Sequence, residues 1–310
     1  RNTEYAIRHT QYAIRNTQYG TRHTMKRLSV LFTAPRSIDV VEDTTPDMRP
    51  DQVLVQSIVS AISAGTEMLF YRGQVPPEME IDTSIAALAG QTRYPLKYGY
   101  ALVGEVIGAG AQIDPAWNGR RVFAFHPHES HFTARLDELI PLPDDVEPED
   151  AVFLPNMETA VNLVMDGRPM LGEQVVVIGQ GVVGLLTTGL LAQFPLGRLI
   201  ALDRFSLRLE MARAFGAYTA LDPATQPEHA LRGTLAQGRG ADLIYELSGN
   251  PGALNHAIAL AGYSGRIVVG SWYGQKQAPL DLGGRFHRQR LQIISSQVST
   301  IAPEWSARLV

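Results

Sequence analysis

From residue 25 the chain alternates short apolar, β-branched runs with turn residues. "RLSVLFTA", "SIDVVED" and, after a Pro-rich turn, "QVLVQSIVSAIS" have the pattern of half-buried strands. "ALVGEVIGAG", "RRVFAF" and "ELIPLP" continue in the same style, and "LPDDVEPEDAVFL" leads out of that region. A mixed or antiparallel sheet is expected over residues 25–150.

The rhythm then changes to alternating strand and helix. "EQVVVIG" reads as a buried strand, "GVVGLLTTGLLAQF" as an apolar helix closed by Pro195 and Gly197, and "RLIALD" as a second strand. "SLRLEMARAFG" places Leu207, Met211 and Ala214 at helical spacing, which predicts an amphipathic helix before a third strand, "AYTALD". "ADLIYELSG", "GRIVVGSW" and "LQIISSQV" supply three more strands. The predicted fold class is α/β: a strand-rich unit over 25–150, then a doubly wound parallel sheet over 151–310.

Residues 1–24 follow neither pattern. Arg1, Arg8, Arg15 and Arg22 recur every seven residues, as do Thr3, Thr10, Thr17 and Thr24. The apolar positions Tyr5, Ile7, Tyr12 and Ile14 do not make the three-four seam of a coiled coil, and an odd period flips the face of a strand at each repeat. A disordered extension from repetitive DNA is the preferred reading, with Met25 as the natural start.

Composition narrows the chemistry. The 310 residues are 45% hydrophobic and 19% charged, enough to build a packed core. A formal charge of -4 gives no general electrostatic reason to bind nucleic acid or an acidic membrane surface. The absence of cysteine excludes disulfides, thiolate nucleophiles and any sulfur-built metal site. With no long apolar run and no signal peptide, a cytoplasmic location is expected.

Two glycine-rich stretches compete as the phosphate loop. "LKYGYALVGEVIGAG" runs into "AQIDPAWNG", which is too polar and too interrupted by Pro115 to open a phosphate-holding helix. In "GQGVVG", Gly179, Gly181 and Gly184, with Val182 and Val183 between them, follow a buried strand and open a helix. Asp203 ends the next strand about twenty residues on, as a dinucleotide fingerprint requires. Asp203 would accept from the adenosine ribose hydroxyls, favouring NAD(H) over NADP(H); Arg204 beside it offers a guanidinium that would instead meet a phosphate.

With "VVVIGQGVVGLL", "LIYELSGNPGAL" and "GRIVVGSW" behind a strand-rich first half, the chain resembles the medium-chain dehydrogenase/reductase superfamily over about residues 27–300. The resemblance implies a GroES-like catalytic domain followed by a Rossmann domain. Within it, "GSWYGQKQAPLDLGGRFHRQRLQIISSQ" looks most like the zinc-alcohol-dehydrogenase-like group that includes bacteriochlorophyllide dehydrogenases. Zinc members hold the catalytic metal with three ligands. Here "AGTEMLFYRG", "YGYALVGEV" and "LPNMETAVN" match the three regions, with Ala64, Tyr100 and Pro155 at the ligand positions and Ala101 at that of a glutamate. None of the three binds zinc, and the four-cysteine structural lobe is missing, so no metal is expected.

Without zinc, a protein group must serve the substrate oxygen. By resemblance Thr66 matches the hydroxyl that relays the proton in zinc members, and Tyr100 projects toward the same cavity, either as a proton donor or as an aromatic plug. Glu67 is either a surface carboxylate at a helix start or an orienter of Thr66. By resemblance Thr159 lies near the nicotinamide, while Glu158 caps a helix that follows. Ser248 and Gly249 after the fourth parallel strand, and Gly270 and Ser271 after the fifth, lie where such sheets bind ligands, with Trp272 and Tyr273 next to them. "FHPHESH" places His126, His128 and His131 in one short loop, with His126 and His128 on one side, and Glu129 alone accompanies them as a carboxylate.

The leading expectation is a zinc-independent NAD(P)-dependent oxidoreductase acting on a small-molecule alcohol or carbonyl. Enone or quinone reduction and a non-catalytic nucleotide-binding role are the alternatives. "LQIISSQV" is the expected edge strand and homodimer seam. Superfamily members send further elements back to the catalytic domain, so a chain ending at Val310 is expected to be a fragment.

Overall fold

A computed structural model describes residues 25–76, 88, 92–226, 228–235 and 238–298. The seven-residue repeat of residues 1–24 and the chain end at Val310 lie outside the described residues.

The first half is built from antiparallel strands. β1 (Lys26–Ala34) and β2 (Ser37–Thr44) form a hairpin in which Val30 faces Val40. β3 (Gln52–Ser60), β4 (Leu102–Ala109), β5 (Arg121–Ala124), β6 (His131–Arg135) and β7 (Leu139–Pro141) form a five-stranded sheet in the order β6-β3-β4-β5-β7. Alternation along these strands sends Val55, Leu102, Val106, Val122 and Phe132 into one core and Val103 and Phe123 into another. Each such fully buried side chain contributes roughly 1.5–3 kcal/mol by leaving water. A short helix, α1 (Glu67–Tyr71), follows β3, and its Leu69 and Phe70 are buried with Phe32 and Tyr98.

The second half holds the parallel sheet. α2 (Pro148–Ala151) and α3 (Leu154–Gly167) lead into β8 (Gln174–Ile178), α4 (Val182–Leu191), β9 (Arg198–Leu202), α5 (Ser206–Ala214) and β10 (Thr219–Leu221). Then come α6 (Glu228–Gly233), β11 (Ala241–Glu246), α7 (Ala253–Leu260), β12 (Ala261–Val269) and β13 (Gln292–Ser295). The six strands run in the order β10-β9-β8-β11-β12-β13 with every neighbour parallel. Both faces are covered: Val175, Val177, Leu243 and Tyr245 pack on one, and Val176, Ile178, Ile200 and Ile244 on the other. That explains the near-continuous apolar runs of these strands. The strand order reverses between β8 and β11, so a crevice opens at their carboxyl ends.

Three details differ from the sequence reading. β6 begins at His131, inside the stretch read as a histidine loop, because its backbone pairs with β3 from Gln56 to Gln52. The buried face of α5 is Leu209 and Ala212; Leu207 is 68% and Met211 40% exposed. Helical spacing was right, but the sheet selects the neighbouring face. Glu158 and Thr159 lie within α3, whose N-cap is Phe153, so Glu158 does not cap it.

Candidate active site and nucleotide loop

The loop between β8 and α4 has the geometry of a phosphate cradle. Gly179 has φ of +93°, and a Cβ there would stand 2.6 Å from the Ser248 backbone; at Gly184 it would stand 1.9 Å from the Gly179 carbonyl oxygen. Both glycines let the loop close on the sheet and on its own helix. A Cβ at Gly181 would meet nothing within 4 Å, so this face of the loop is open to a ligand. Gly181 is the N-cap of α4, and the helix start at Val182 and Val183 presents N–H groups and the positive end of a dipole to that space. The residues fit a dinucleotide pyrophosphate.

Asp203 and Gln180 hold this loop in place. Asp203 is buried after β9; its Oδ2 accepts from Gln180 N at 2.7 Å and its Oδ1 from Phe205 N at 3.0 Å. The fully buried Gln180 side chain donates to the Val177 carbonyl at 3.1 Å and accepts from Thr188 Oγ1 at 3.0 Å. Arg204 is exposed, whereas Arg208 comes within 3.5 Å of Asp203 Oδ2 and lies over the Phe205 ring. Sequence reasoning missed Gln180 and Arg208. A long polar side chain between two glycines was the available signal for the first; one helical turn beyond Phe205 was the only signal for the second.

Ser248, Gly249, Gly270 and Ser271 come together at the carboxyl ends of β11 and β12, since Ser271 Oγ accepts from Gly249 N at 2.9 Å and Gly270 N donates to the Glu246 carbonyl at 3.1 Å. Glu246, fully buried and not singled out from the sequence, organises this corner. Its carboxylate accepts from Ser248 N at 2.8 Å and from the hydroxyls of Ser248 and Tyr273. Burial, then the hydrogen bond to Glu246 and its charge, hold the Tyr273 phenol well above its ordinary value. Thr159, half-buried on α3, donates to the Pro155 carbonyl at 2.8 Å.

Tyr100 stands just before β4. Its hydroxyl donates to Ser63 Oγ and lies 3.4 Å from Thr66 Oγ1, so the two sequence candidates meet. Burial pushes the phenol above its ordinary value; hydrogen bonds to Ser63 and Thr66 oppose the rise, and the Glu67 charge adds to it. Glu67 is only 3% exposed, which removes the surface reading. Nor does it bond Thr66: Oε1 accepts from Ser63 N at 2.7 Å, and Oε2 lies 2.9 Å from His128 Nε2.

An aromatic series links Tyr100 to the crevice of the parallel sheet. The Tyr98 ring lies edge-on to Tyr100 with centroids 6.1 Å apart, Phe70 stacks on Tyr98 at 3.9 Å, and Trp272 meets Phe70 at 6.1 Å. Next to Trp272 the two halves are joined through backbone, Gln275 N donating to the Gln74 carbonyl at 2.9 Å.

The three histidines do not act as a set. His126 stacks on Phe132 and bonds Glu129 at 3.1 Å; His128 turns to Glu67 and Ser60; His131 sits in β6. Among the described residues no group of three or more His, Asp or Glu side chains is placed to hold a metal ion. Ala64, Tyr100 and Pro155 offer no thiolate, imidazole or carboxylate. Among the described residues no helix is long and apolar enough to cross a membrane.

Comparison with known proteins agrees with this architecture. A family model for zinc-binding dehydrogenases matches residues 182–310. Sorbitol dehydrogenase of Bacillus subtilis (strain 168) is 22% identical over 278 residues, covering 80% of this chain and 75% of that one. Two crystal structures superpose with a TM-score of 0.72. One is an alcohol dehydrogenase from Escherichia coli CFT073 complexed with NADH, at 21% identity over 92% of this chain and 86% of that one. The other is a zinc-binding dehydrogenase from Sinorhizobium meliloti 1021 bound to NADP, at 18% identity over 88% and 84%.

Proposed function

We propose that the chain is an alcohol dehydrogenase-like oxidoreductase of the medium-chain dehydrogenase/reductase superfamily and that it oxidises an alcohol or reduces a carbonyl without zinc, Tyr100 exchanging the proton at the substrate oxygen. The observation that carries this reading is the Tyr100 phenol, at a position where the zinc members hold a metal ligand. It is kept protonated by burial and is engaged by Ser63 and Thr66. A neutral phenol at neutral pH is a hydrogen-bond donor, and it stabilises charge that develops on a carbonyl oxygen.

A bound nicotinamide dinucleotide supplies or accepts the hydride. Gly179, Gly181 and Gly184 with the amides at Val182 and Val183 hold its pyrophosphate. Asp203 receives the adenosine ribose and favours NAD(H), with Arg204 exposed beside it. Ser248, Gly249, Gly270, Ser271 and Thr159 border the nicotinamide end. Thr66 orients Tyr100, and Glu67 fixes the turn that carries Ser63 and Thr66. Residues 25–150 form the catalytic unit and 151–310 the nucleotide unit, with β13 as the seam of a homodimer.

Fluorescence titration with NADH and NADPH, followed by turnover on matched alcohols, ketones and enones, tests this reading. Binding of NADH with turnover of alcohol and ketone is expected. Failure to bind either nucleotide would sink the proposal, turnover of enones alone would favour conjugate reduction, and binding without turnover would favour a sensing role. Light scattering of the eluting protein at two concentrations checks the dimer.

A further inference from the structure

A phenol that gives up its proton in each turnover has to regain one from water, and the half-buried Tyr100 hydroxyl is bonded to Ser63 and Thr66. Next to these hydroxyls lies a series of polar groups that hydride chemistry itself does not require. Glu67 Oε1 accepts from Ser63 N at 2.7 Å, and Glu67 Oε2 lies 2.9 Å from His128 Nε2. The other ring nitrogen, Nδ1, lies 2.9 Å from Ser60 Oγ. Ser60 is exposed, and with Ser29, His128, Glu129 and Ser130 it lines an open cavity of about 200 Å³ beside the β1–β2 hairpin. Glu67 and His128 are 3% and 7% exposed, so bulk water reaches this series at Ser60.

The backbone is shaped around the imidazole. Gly99, the residue before Tyr100, has φ of +135°, and a Cβ there would stand 2.8 Å from the His128 ring. Only glycine lets the ring lie against the backbone that carries the phenol. Both ring nitrogens are engaged, one toward a carboxylate and one toward a hydroxyl, so an imidazole here takes a proton on one side and releases one on the other.

Building on the reading of Tyr100 as the donor, we propose that Ser60, His128, Glu67 and Ser63 form the path by which its proton is exchanged with solvent. After Tyr100 has protonated the substrate oxygen, Ser63 gives its hydroxyl proton to the phenolate. The Glu67 carboxylate takes a proton from His128 Nε2 as Nδ1 takes one from water through Ser60, and Glu67, whose Oε1 already holds the Ser63 amide, passes that proton to the Ser63 oxygen once rotation about χ1 turns it to the carboxyl. Each transfer moves one proton; the imidazole alone ends changed, as its Nδ1–H tautomer, and regains the starting tautomer by proton exchange with water of the cavity it lines before the next turnover; in alcohol oxidation the order reverses. His128 and Glu67 touch no reacting atom and act through Ser63 and Tyr100.

His128→Gln separates a proton path from mere bracing, because the amide still donates to Glu67 and accepts from Ser60 but passes no proton across itself. With NADH affinity and melting temperature matching the wild type, single-turnover hydride transfer is expected to survive. Steady-state kcat should fall at least about tenfold, with a larger solvent deuterium isotope effect and partial rescue by added imidazole. Wild-type kcat with an unchanged isotope effect in H128Q would overturn the path. Should H128Q fail to fold, Ser60→Ala, at an exposed position, replaces it: a lower kcat with a raised isotope effect supports the path, and unchanged values overturn it. Absence of turnover by the wild-type protein overturns the Tyr100 reading as well, and it is seen before any variant is made.

Discussion

The Tyr100 hydroxyl lies 3.4 Å from Thr66 Oγ1, so a residue just before β4 meets the residue that precedes α1. Ser63 is the closer partner, so the phenol is fixed from the turn before α1. A plug needs only the ring; a donor needs the hydroxyl. Tyr100→Phe keeps the edge-on contact with Tyr98 and removes the proton. Its kcat should fall by about 10²–10⁴, the usual worth of a positioned acid or base, while NADH affinity is retained. Steady-state kinetics beside a fluorescence titration make the check, and undiminished kcat would assign the ring to packing.

The glycines of the nucleotide loop should separate folding from binding. At Gly184 a Cβ would stand 1.9 Å from a backbone oxygen that has nowhere to go, so Gly184→Ala should lose about 1–3 kcal/mol of stability and with it the loop. At Gly181 a Cβ would meet nothing within 4 Å, so Gly181→Ala should melt like the wild type yet bind NADH at least about tenfold more weakly by crowding the pyrophosphate. Thermal melts paired with NADH titrations read both effects. Tight binding by G181A would place the phosphates elsewhere.

The loop was legible because its chemistry is local: glycine spacing, a preceding buried strand and an acid at the next strand's end lie within one stretch of chain. The parallel sheet was legible through the alternation of apolar strands and helices, whereas its strand order was not read from the sequence. His128 was not, because its role comes from Glu67 and Gly99, which are far from it in sequence and reach it only when β6 pairs with β3. Glu246 was missed for a related reason. An acid at the end of an apolar strand looks like a surface residue until the hydroxyls of Ser248 and Tyr273 close over it. The buried face of α5 turned on which side the sheet lay, which periodicity leaves open.

Asp203 should set the choice of cofactor. Its carboxylate anchors Gln180 N, and on the proposed reading it also presents a negative charge to the ribose end of the cofactor. Asp203→Asn keeps an oxygen acceptor for the amide and removes the charge, with Arg208 close by to meet a phosphate. NADPH affinity should rise relative to NADH by about tenfold, a difference of about 1.4 kcal/mol. Parallel titrations with the two nucleotides decide it, and an unchanged ratio would assign the selectivity to other groups.

Glu129 should govern the acid limb of stability. It is 8% exposed and accepts from Arg27, Ser29, Lys97 and His126. Burial disfavours its charge, but hydrogen bonds and charges from His126 and Lys97 outweigh that and bring its pKa from 4.5 down to about 2. Because the folded value lies below the unfolded one, the unfolded chain takes up the proton first. The stabilisation is therefore fully present above about pH 4.5 and is lost as the pH falls toward about 2. With solvent screening of the partly exposed Lys97 allowed for, the contribution is about 2 kcal/mol. Glu129→Gln should accordingly be less stable at pH 7 and show a flatter decline between pH 4.5 and 2 than the wild type. Urea melts across that range measure both. Parallel declines in the two proteins would mean that the ion cluster pinning β1 to the segment between β5 and β6 contributes nothing net, its Coulomb gain cancelled by the cost of burying the charge.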